Sequence, residues 1–503
     1  MYTRRPPRPH ATLTPVVAAA GYREQMSERE YDVIVIGGGA VGENIADRTI
    51  QGGMTTVLVE AELVGGECSY WACMPSKGLL RSAAALRAAR GVDGARQAVT
   101  GDVDIAGVLR RRDRITHDWD DGSQVKWLDE TGIDLVRGHA EFTGIKRVRV
   151  RGEDGTVTEL VARHAVAVAT GSASLMPDIP GLREIEPWNS RDATSAKEIP
   201  ASLAVIGGGV VAAELATAYA GFGTKVTLLV RSTLLQKMEP FAREMVEASL
   251  TRLGVTIRTG VEVTEAHRTE HNAVLALSDG GRVVAEQVLV AIGRTARTTD
   301  LGLETIGFQP GAWLAVDDTL LVRGTDWLYA VGDVNHRALL THQGKYQARA
   351  AGDVISARAK GLPVDDAPWG AHVATADHEH IPEVTFTDPE VASVGLTEAD
   401  ARAAGRSIRV LDYDLSWLGG ASTYADAYEG RARAIVDEDR GVLIGATFVG
   451  PEVAELLHSA TVAIVGEVPL ERLWHAVPSY PTVSEVWLRW LEEYGRPAPP
   501  APS

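Results

Sequence analysis

The pentapeptide Val-Ile-Gly-Gly-Gly occurs twice, at Val35–Gly39 and at Val205–Gly209, and no other feature restricts the fold as tightly. Each copy ends an apolar run and opens an alanine-rich stretch with helical character. Strand, glycine turn and helix in that order make a dinucleotide-binding unit. Glycines permit the tight turn and let backbone amides at the helix N-terminus approach a pyrophosphate. In the first copy the glycines are Gly37, Gly39 and Gly42, and the next apolar run ends in Glu60, an acid placed to accept both hydroxyls of a ribose. In the second they are Gly207 and Gly209, with Ala212 third; Val230 stands where the first copy has Glu60, and Arg231 follows. A missing acid and an added guanidinium suit a 2′-phosphate, with Lys237 as a second positive charge; the alternative for Arg231 is a solvated surface residue. Two such units imply two dinucleotides, or a duplicated ancestor.

The coarse pattern is α/β. A β-α-β unit spans about 31–60, a helix runs from Cys73 to about Arg90, and a second β-α-β unit covers 203–230, with more strands to Gly293. The part beyond about 370 mixes helices with strands at Val384–Phe386, Arg433–Val436 and Gly441–Val449.

Between the two units lies GGECSYWACMPSK, Gly65 to Lys77, which holds Cys68 and Cys73, the chain's two cysteines. A cross-link closing so small a loop restricts the unfolded chain very little, so a structural staple is a poor reading. In a regular helix residues i and i+5 have Cα atoms about 8–9 Å apart, whereas a disulfide needs less than about 7 Å. The first turn must therefore be distorted, and Pro75 suits a helix entered irregularly. A strained short-loop pair is the kind that cycles between dithiol and disulfide. Two buried structural thiols are the alternative that spacing alone leaves open.

A net charge of −17 argues against nucleic-acid and anionic membrane surfaces, and no apolar run approaches the roughly 20 residues of a membrane span. Residues 1–29 carry Arg4-Arg5, Pro6-Pro7 and a short apolar run from Val16 to Ala20, without the core length or cleavage pattern of a signal peptide. They read as a disordered arm or an over-called start with Met26 as initiator, and the Pro-rich 495–503 as a disordered tail. A cytoplasmic location follows, where a cysteine pair is more often catalytic than structural. His372, His378 and His380, with Asp377 and Glu379, read as a solvated loop because no closed ligand spacing appears, and no metal site is expected. Asp120-Asp121 and Arg110–Arg114 read as solvated faces.

The chain resembles the flavoprotein disulfide reductases, the family that includes dihydrolipoamide dehydrogenase, glutathione reductase and mercuric reductase. The resemblance runs from about Tyr31 to Tyr494 and rests on an ordered series. That series is the first fingerprint, GGxCxxxxCxPSK, ATGS at Ala169–Ser172, the second fingerprint, AIGR at Ala291–Arg294, LYAVGD at Leu328–Asp333, the block Phe386–Gly405, and PTVSE at Pro481–Glu485. It implies an FAD-binding domain in two parts (30–180 and 299–367), an NAD(P)-binding domain (181–298), and an α+β interface domain (368–494). It also implies a homodimer whose active site the partner chain completes. FAD would lie against Gly37, Gly39, Gly42, Glu60, Gly66, Thr170 and Gly171, with Asp333 near its ribityl–phosphate region. NADPH or NADH would lie against Gly207, Gly209, Val230, Arg231 and Gly293. Cys73 resembles the thiol against the flavin, Cys68 the thiol that exchanges with substrate, and Lys77 the lysine near flavin N5, with Glu214 in the position of its acid. An electron-poor ring and Lys77 would then lower the pKa of Cys73, and Gly65-Gly66 would let the backbone lie against the ring. The implied reaction takes hydride from the nicotinamide through the flavin to the Cys68–Cys73 disulfide and on to a small or protein disulfide.

Three departures bear on the substrate. Tyr480 replaces the histidine of the C-terminal motif, although Glu485 keeps the acid position and His475 lies five residues early. Tyr70 and Trp71 stand between the cysteines, either reshaping the thiol pocket or packing in the core, and Val210 stands where relatives place a gating tyrosine. The C-terminal cysteine pair of mercuric reductase is missing, which counts against mercury reduction. Two other readings compete: a reductase of quinones or other acceptors with the thiols secondary, and a non-catalytic flavoprotein interaction module.

Overall fold

The computed structural model describes residues 27–496, and the expected arm and tail, at 1–26 and 497–503, lie outside them. The chain opens with strand β1 (Ser27–Ile36), helix α1 (Ala40–Gln51) and strand β2 (Thr56–Glu60). Helices α2 (Gly66–Tyr70), α3 (Cys73–Arg90), α4 (Ile105–Ile115) and α5 (Gly122–Thr131) follow, then strands β3 (Asp134–Arg137), β4 (His139–Gly144), β5 (Arg147–Arg151) and β6 (Val157–Val168). The sheet order is β3-β2-β1-β6-β5-β4. β3, β2, β1 and β6 are parallel, and the hydrophobic run of β1 is buried on both faces, as a covered parallel strand requires. The far half of β6 pairs in parallel with Leu328–Ala330, so the chain returns to this sheet after an excursion.

That excursion is the second unit. Beyond β7 (Ser172–Ser174) and helix α6 (Ser190–Ser195), strand β8 (Ser202–Ile206), helix α7 (Val210–Gly221) and strand β9 (Lys225–Val230) repeat the first pattern. Their parallel sheet runs Thr256–Thr259, β9, β8, Gln287–Val290. α7 is buried along most of its length because one face packs on this sheet and the other meets α3 of the first unit. The C-terminal part builds an antiparallel sheet of Pro382–Thr385, Glu390–Gly395, Val442–Gly450, Arg431–Asp437 and Ile408–Asp414, with its own core around Phe448 and Trp490. The architecture is thus two Rossmann-like units plus an α+β domain.

Several local expectations need correction. β1 begins at Ser27, inside the stretch read as an arm, because Ser27–Arg29 pair with Thr158–Leu160. At the other end Arg496 is packed over the Trp474 ring at 4.7 Å rather than loose in a tail. Arg112, expected on a solvated face, is 1% exposed and donates to the carbonyls of Thr194 and Ala196. Asp121 is likewise drawn inward, accepting from Val64 N at 2.7 Å and from Arg137 at 2.5 Å. The distortion expected in the first turn of the cysteine helix is a full break. α2 ends at Tyr70, Trp71 (φ −134°, ψ −8°) and Ala72 (φ −123°, ψ −96°) leave helical geometry, and α3 starts at Cys73.

Candidate active site

The break places Cys68 in the short α2 and Cys73 at the first position of α3, where the helix N-terminus favours a thiolate. Cys73 Sγ lies 3.4 Å from Thr341 Oγ1. The Cys73 thiol is lowered to about 6, chiefly by the hydrogen bond from Cys68, with Thr341 and then Lys77 helping against the cost of burial. The Cys68 thiol is pushed well above its ordinary value by the same hydrogen bond and by burial. The lowering expected of Lys77 is thus present, but Cys68 and Thr341 contribute more.

Lys77, one turn into α3, donates to Glu214 Oε2 at 2.7 Å. Glu214 comes from α7 of the second unit and is 5% exposed; its other oxygen accepts from Phe386 N at 2.9 Å. The ammonium also sits 4.6 Å from the Phe386 ring centroid. One buried carboxylate therefore ties the cysteine helix, the second unit and the C-terminal domain together, and a buried carboxylate is tolerated only when so satisfied.

Cys68, Cys73, Lys77, Glu214 and Thr341 line a cavity of about 750 Å³. Gly37, Gly39, Glu60, Gly66, Thr170, Gly171 and Asp333 lie on its walls together with Cys68, Cys73, Lys77 and Glu214. Its geometry fits a dinucleotide. Gly37 (φ +102°) runs so close to Ala169 O that an added Cβ would come within 2.5 Å, and a Cβ on Gly42 would come 1.8 Å from Gly37 O. Glu60 accepts from Gly38 N at 2.6 Å and from Glu62 N at 2.7 Å, which fixes the acid at the end of β2, and burial raises its pKa. Thr170 Oγ1 is buried without a hydrogen-bond partner, an open donor on the cavity wall. Asp333 accepts from Ser172 Oγ at 2.5 Å, with Arg294 3.8 Å away; burial raises its pKa and Ser172 opposes that. Gly66 lines the cavity and also meets Gly39: a Cβ there would come 2.7 Å from Gly39 Cα, and Gly65 N donates to Gly38 O at 2.8 Å. The cysteine segment lies directly on the glycine turn.

The family model described as pyridine nucleotide-disulphide oxidoreductase matches residues 31–353, and the dimerisation domain of the same family matches 381–490. The chain belongs to the pyridine nucleotide-disulphide oxidoreductase family. Similar relatives include a mercuric reductase from Staphylococcus aureus, 30% identical over 93% of this chain and 86% of the relative. A dihydrolipoyl dehydrogenase from Halobacterium salinarum is 30% identical over 92% and 95%. Among solved structures, a Cu(II) complex of the HOCl-induced flavoprotein disulfide reductase RclA from Escherichia coli superposes with a TM-score of 0.80 at 23% identity, covering 93% of this chain and all of that one. The cofactors of the family are FAD and a nicotinamide nucleotide, and the cavity described above fits the first.

Other expected oxidoreductase residues lie away from this cavity. Gly207 (φ +136°) makes the tight turn, with Ala291 O 2.2 Å from where its Cβ would stand, while Gly209 has open space around it. Val230 is buried and Arg231 exposed, 3.9 Å from Glu262. Lys237 is exposed and Gly293 (φ +144°) open. Tyr480 is 77% exposed and Glu485 7%. Glu485 pairs with Arg489 rather than with Tyr480, and its Oε2 is buried without a partner. Within one chain neither borders the cysteine cavity. Tyr70 packs in the core, fully buried, whereas Trp71 and Val210 line the cavity. Among the described residues no group of histidine, cysteine and acid side chains could hold a metal, and no helix is long and apolar enough to cross a membrane.

Sequence reasoning missed Thr341, Phe386 and a charged cluster at the cavity mouth. Arg191 bonds both oxygens of Glu62 at 2.9 Å and Glu67 at 2.7 Å, and Arg297 reaches Glu67 at 3.1 Å. Glu67 immediately precedes Cys68, so an acid between the two motif glycines and the cysteine was a signal within the motif itself.

Proposed function

We propose that the protein is an NADPH-dependent FAD disulfide reductase that uses Cys68–Cys73 to reduce a small or protein disulfide, as a homodimer in the cytoplasm. The observation that carries this reading is a single cavity walled by both cysteines, the Lys77–Glu214 pair and the dinucleotide residues Glu60, Thr170 and Asp333. When bound there, FAD would supply the acceptor that links a two-electron nicotinamide donor to the sulfur pair. Cys73, lowered to about 6, holds a thiolate at neutral pH beside Thr341. Cys68, raised, must lose its proton before its sulfur can attack a substrate disulfide. Lys77 carries a fixed positive charge into the site with Glu214 as its counter-ion. The net reaction is NADPH + H⁺ + RSSR′ → NADP⁺ + RSH + R′SH.

The family's dimerisation domain supports the homodimer. So do Trp417, Val477 and Tyr480, which lie exposed on that domain and would put Tyr480 and Glu485 against a partner chain's site. NADPH is favoured because exposed Arg231, with Glu262 3.9 Å away as a weak competitor, can turn to a 2′-phosphate, and Val230 offers no acid to repel it.

A quinone or other electron acceptor is the second reading. It is favoured by the raised Cys68 thiol and by Tyr480 in place of a base. A panel of lipoamide, glutathione and mycothiol disulfides, quinones and Hg(II), assayed anaerobically, decides between them. Disulfide reduction is expected to collapse in Cys68→Ser while any quinone reduction survives; survival of disulfide reduction in that variant would sink the proposal. If FAD-containing protein is not bleached by NADH or NADPH, a non-catalytic role stands instead.

A further inference from the structure

Two backbone carbonyls, Tyr70 O and Trp71 O, lie at the break between α2 and α3. Trp71 N keeps the ordinary bond to Glu67 O at 2.9 Å while Ala72 N turns to the same oxygen at 2.7 Å, and Pro75 has no N–H to offer Trp71 O. Both are met by side chains from distant segments. Trp119 Nε1 donates to Tyr70 O at 3.1 Å, and Thr194 Oγ1 donates to Trp71 O at 2.7 Å. Arg191, one turn before Thr194 on α6, lies 4.2 Å from the Trp71 ring centroid and bonds Glu67 at 2.7 Å. Behind them stands buried Arg112, which donates to Thr194 O at 2.9 Å and packs 5.2 Å from the Trp119 ring. Asn189 begins α6 with a reciprocal capping box, so the element carrying Arg191 and Thr194 is itself fixed.

We propose that Thr194 and Arg191, braced by Arg112 and Trp119, are positioning residues that hold the kink between Cys68 and Cys73 at a spacing a disulfide can close, and thereby set the reduction potential of the pair. The inference rests on the reading of these cysteines as the redox pair. In that couple the Sγ–Sγ bond takes up two electrons from the nicotinamide donor and two protons from water, giving two thiols. A regular helix through residues 68–73 would part the Cα atoms to about 8–9 Å, beyond the reach of a disulfide, and would still leave Trp71 O without a helical donor because Pro75 has no N–H. Loosening the clamp therefore favours the dithiol and raises the potential.

The test uses the full FAD-containing chain, with the fraction of Cys68–Cys73 disulfide measured by thiol labelling across a dithiothreitol redox series. Thr194→Val, which keeps the shape and removes the hydroxyl, is expected to shift the equilibrium toward dithiol about tenfold, or about 30 mV for a two-electron couple. Thr194→Ser restores the wild-type value. Arg191→Gln shifts it the same way by about threefold, and decides the matter alone if Thr194→Val does not fold. A side chain with only a structural role would lower the melting temperature and leave the potential in place, and coincident potentials in wild type and variants would overturn the inference. A wild-type protein with no disulfide-to-dithiol transition would overturn the redox reading of the pair, and the clamp with it.

Discussion

The two glycine turns share five consecutive residues and are built for different tenancies. In the first, the turn is roofed: Gly65 and Gly66 cross it at backbone contact, Glu60 bonds the Gly38 amide, and Gly42 lets α1 approach Gly37. In the second, Gly209 has nothing within 4 Å, Ala212 fills the place of Gly42, and Arg231 stands in solvent. The first turn is thus covered as far as Gly39 by Gly65 and Gly66, whereas the segment after β9 reaches only Gly208, through Leu235 N to Gly208 O at 2.7 Å, and leaves Gly209 open. A resident cofactor needs the first arrangement, and a nucleotide that binds and leaves at each turnover needs the second.

The sharpest way to break this comparison is to add one methyl group to each turn. In Gly42→Ala the new Cβ meets Gly37 O at 1.8 Å, so α1 must shift. We expect a loss of about 1–3 kcal/mol and FAD lost on gel filtration. Gly209→Ala adds its methyl to open space at φ −89°, and should change stability by less than about 0.5 kcal/mol. Thermal melts followed by flavin fluorescence check both. Equal losses would mean that the two turns are equally constrained and that the contrast is wrong.

Next in size is the nucleotide preference, where a charge-assisted hydrogen bond is worth roughly 1.5–3 kcal/mol, or about ten- to a hundred-fold. kcat/KM for NADPH over NADH is expected to fall by that factor in Arg231→Glu. Glu262, 3.9 Å from Arg231, competes for the guanidinium, so Glu262→Gln should strengthen the preference. Equal use of both nucleotides by wild type would end the assignment.

How much of this was legible in the sequence depends on how far apart the partners are. The helix over Cys73–Arg90 and the two β-α-β units were readable, because periodicity and glycine spacing carry each one locally, whereas the Lys77–Glu214 pair, 137 residues apart, was readable only through the family resemblance that places both residues. Arg112 was misread because its partners at Thr194 and Ala196 are more than 80 residues away, and a basic stretch seen alone looks solvated. Thr341 stands 268 positions from Cys73, and no pattern around it announces a thiol neighbour. The close approach of Gly66 to Gly39 also escaped, since motif spacing shows that a glycine is needed without showing what approaches it.

The sulfur pair offers a smaller contrast, inside one site. The Cys73 thiolate is present above about pH 6 and lost as the pH falls through that value. Alkylation rates of the reduced enzyme should therefore show a midpoint near 6. Thr341→Val should raise that midpoint more than Lys77→Met does, because the hydroxyl bonds the sulfur while the ammonium acts only through its field. The reverse order would restore Lys77 as the main influence. Cys68, with its thiol raised, should react slowly across the neutral range and faster as the pH rises.

The smallest effect concerns Tyr480, and it tests whether the open C-terminal face belongs to the chemistry at all. A histidine there would have a reference pKa near 6.5 and could take the Cys68 proton at neutral pH, whereas a tyrosine, near 10, is already protonated and is better placed to donate. Glu485, paired with Arg489, is not available to polarise the phenol within its own chain. Turnover of lipoamide should then be slow at pH 7 and rise with pH, because the raised Cys68 thiol ionises unaided. Tyr480→His should gain activity at low pH, by about threefold to tenfold, below the usual range of general acid–base assistance. Tyr480→Phe should lose a comparable factor if the phenol donates to the leaving thiolate. Tyr480 is 77% exposed in one chain and does not border that chain's cysteine cavity, so if the proposed homodimer carries it to the partner's site, both effects should fade on dilution into monomers. Coincident pH profiles from pH 6 to 9 in all three proteins would leave Tyr480 a residue of the interface only.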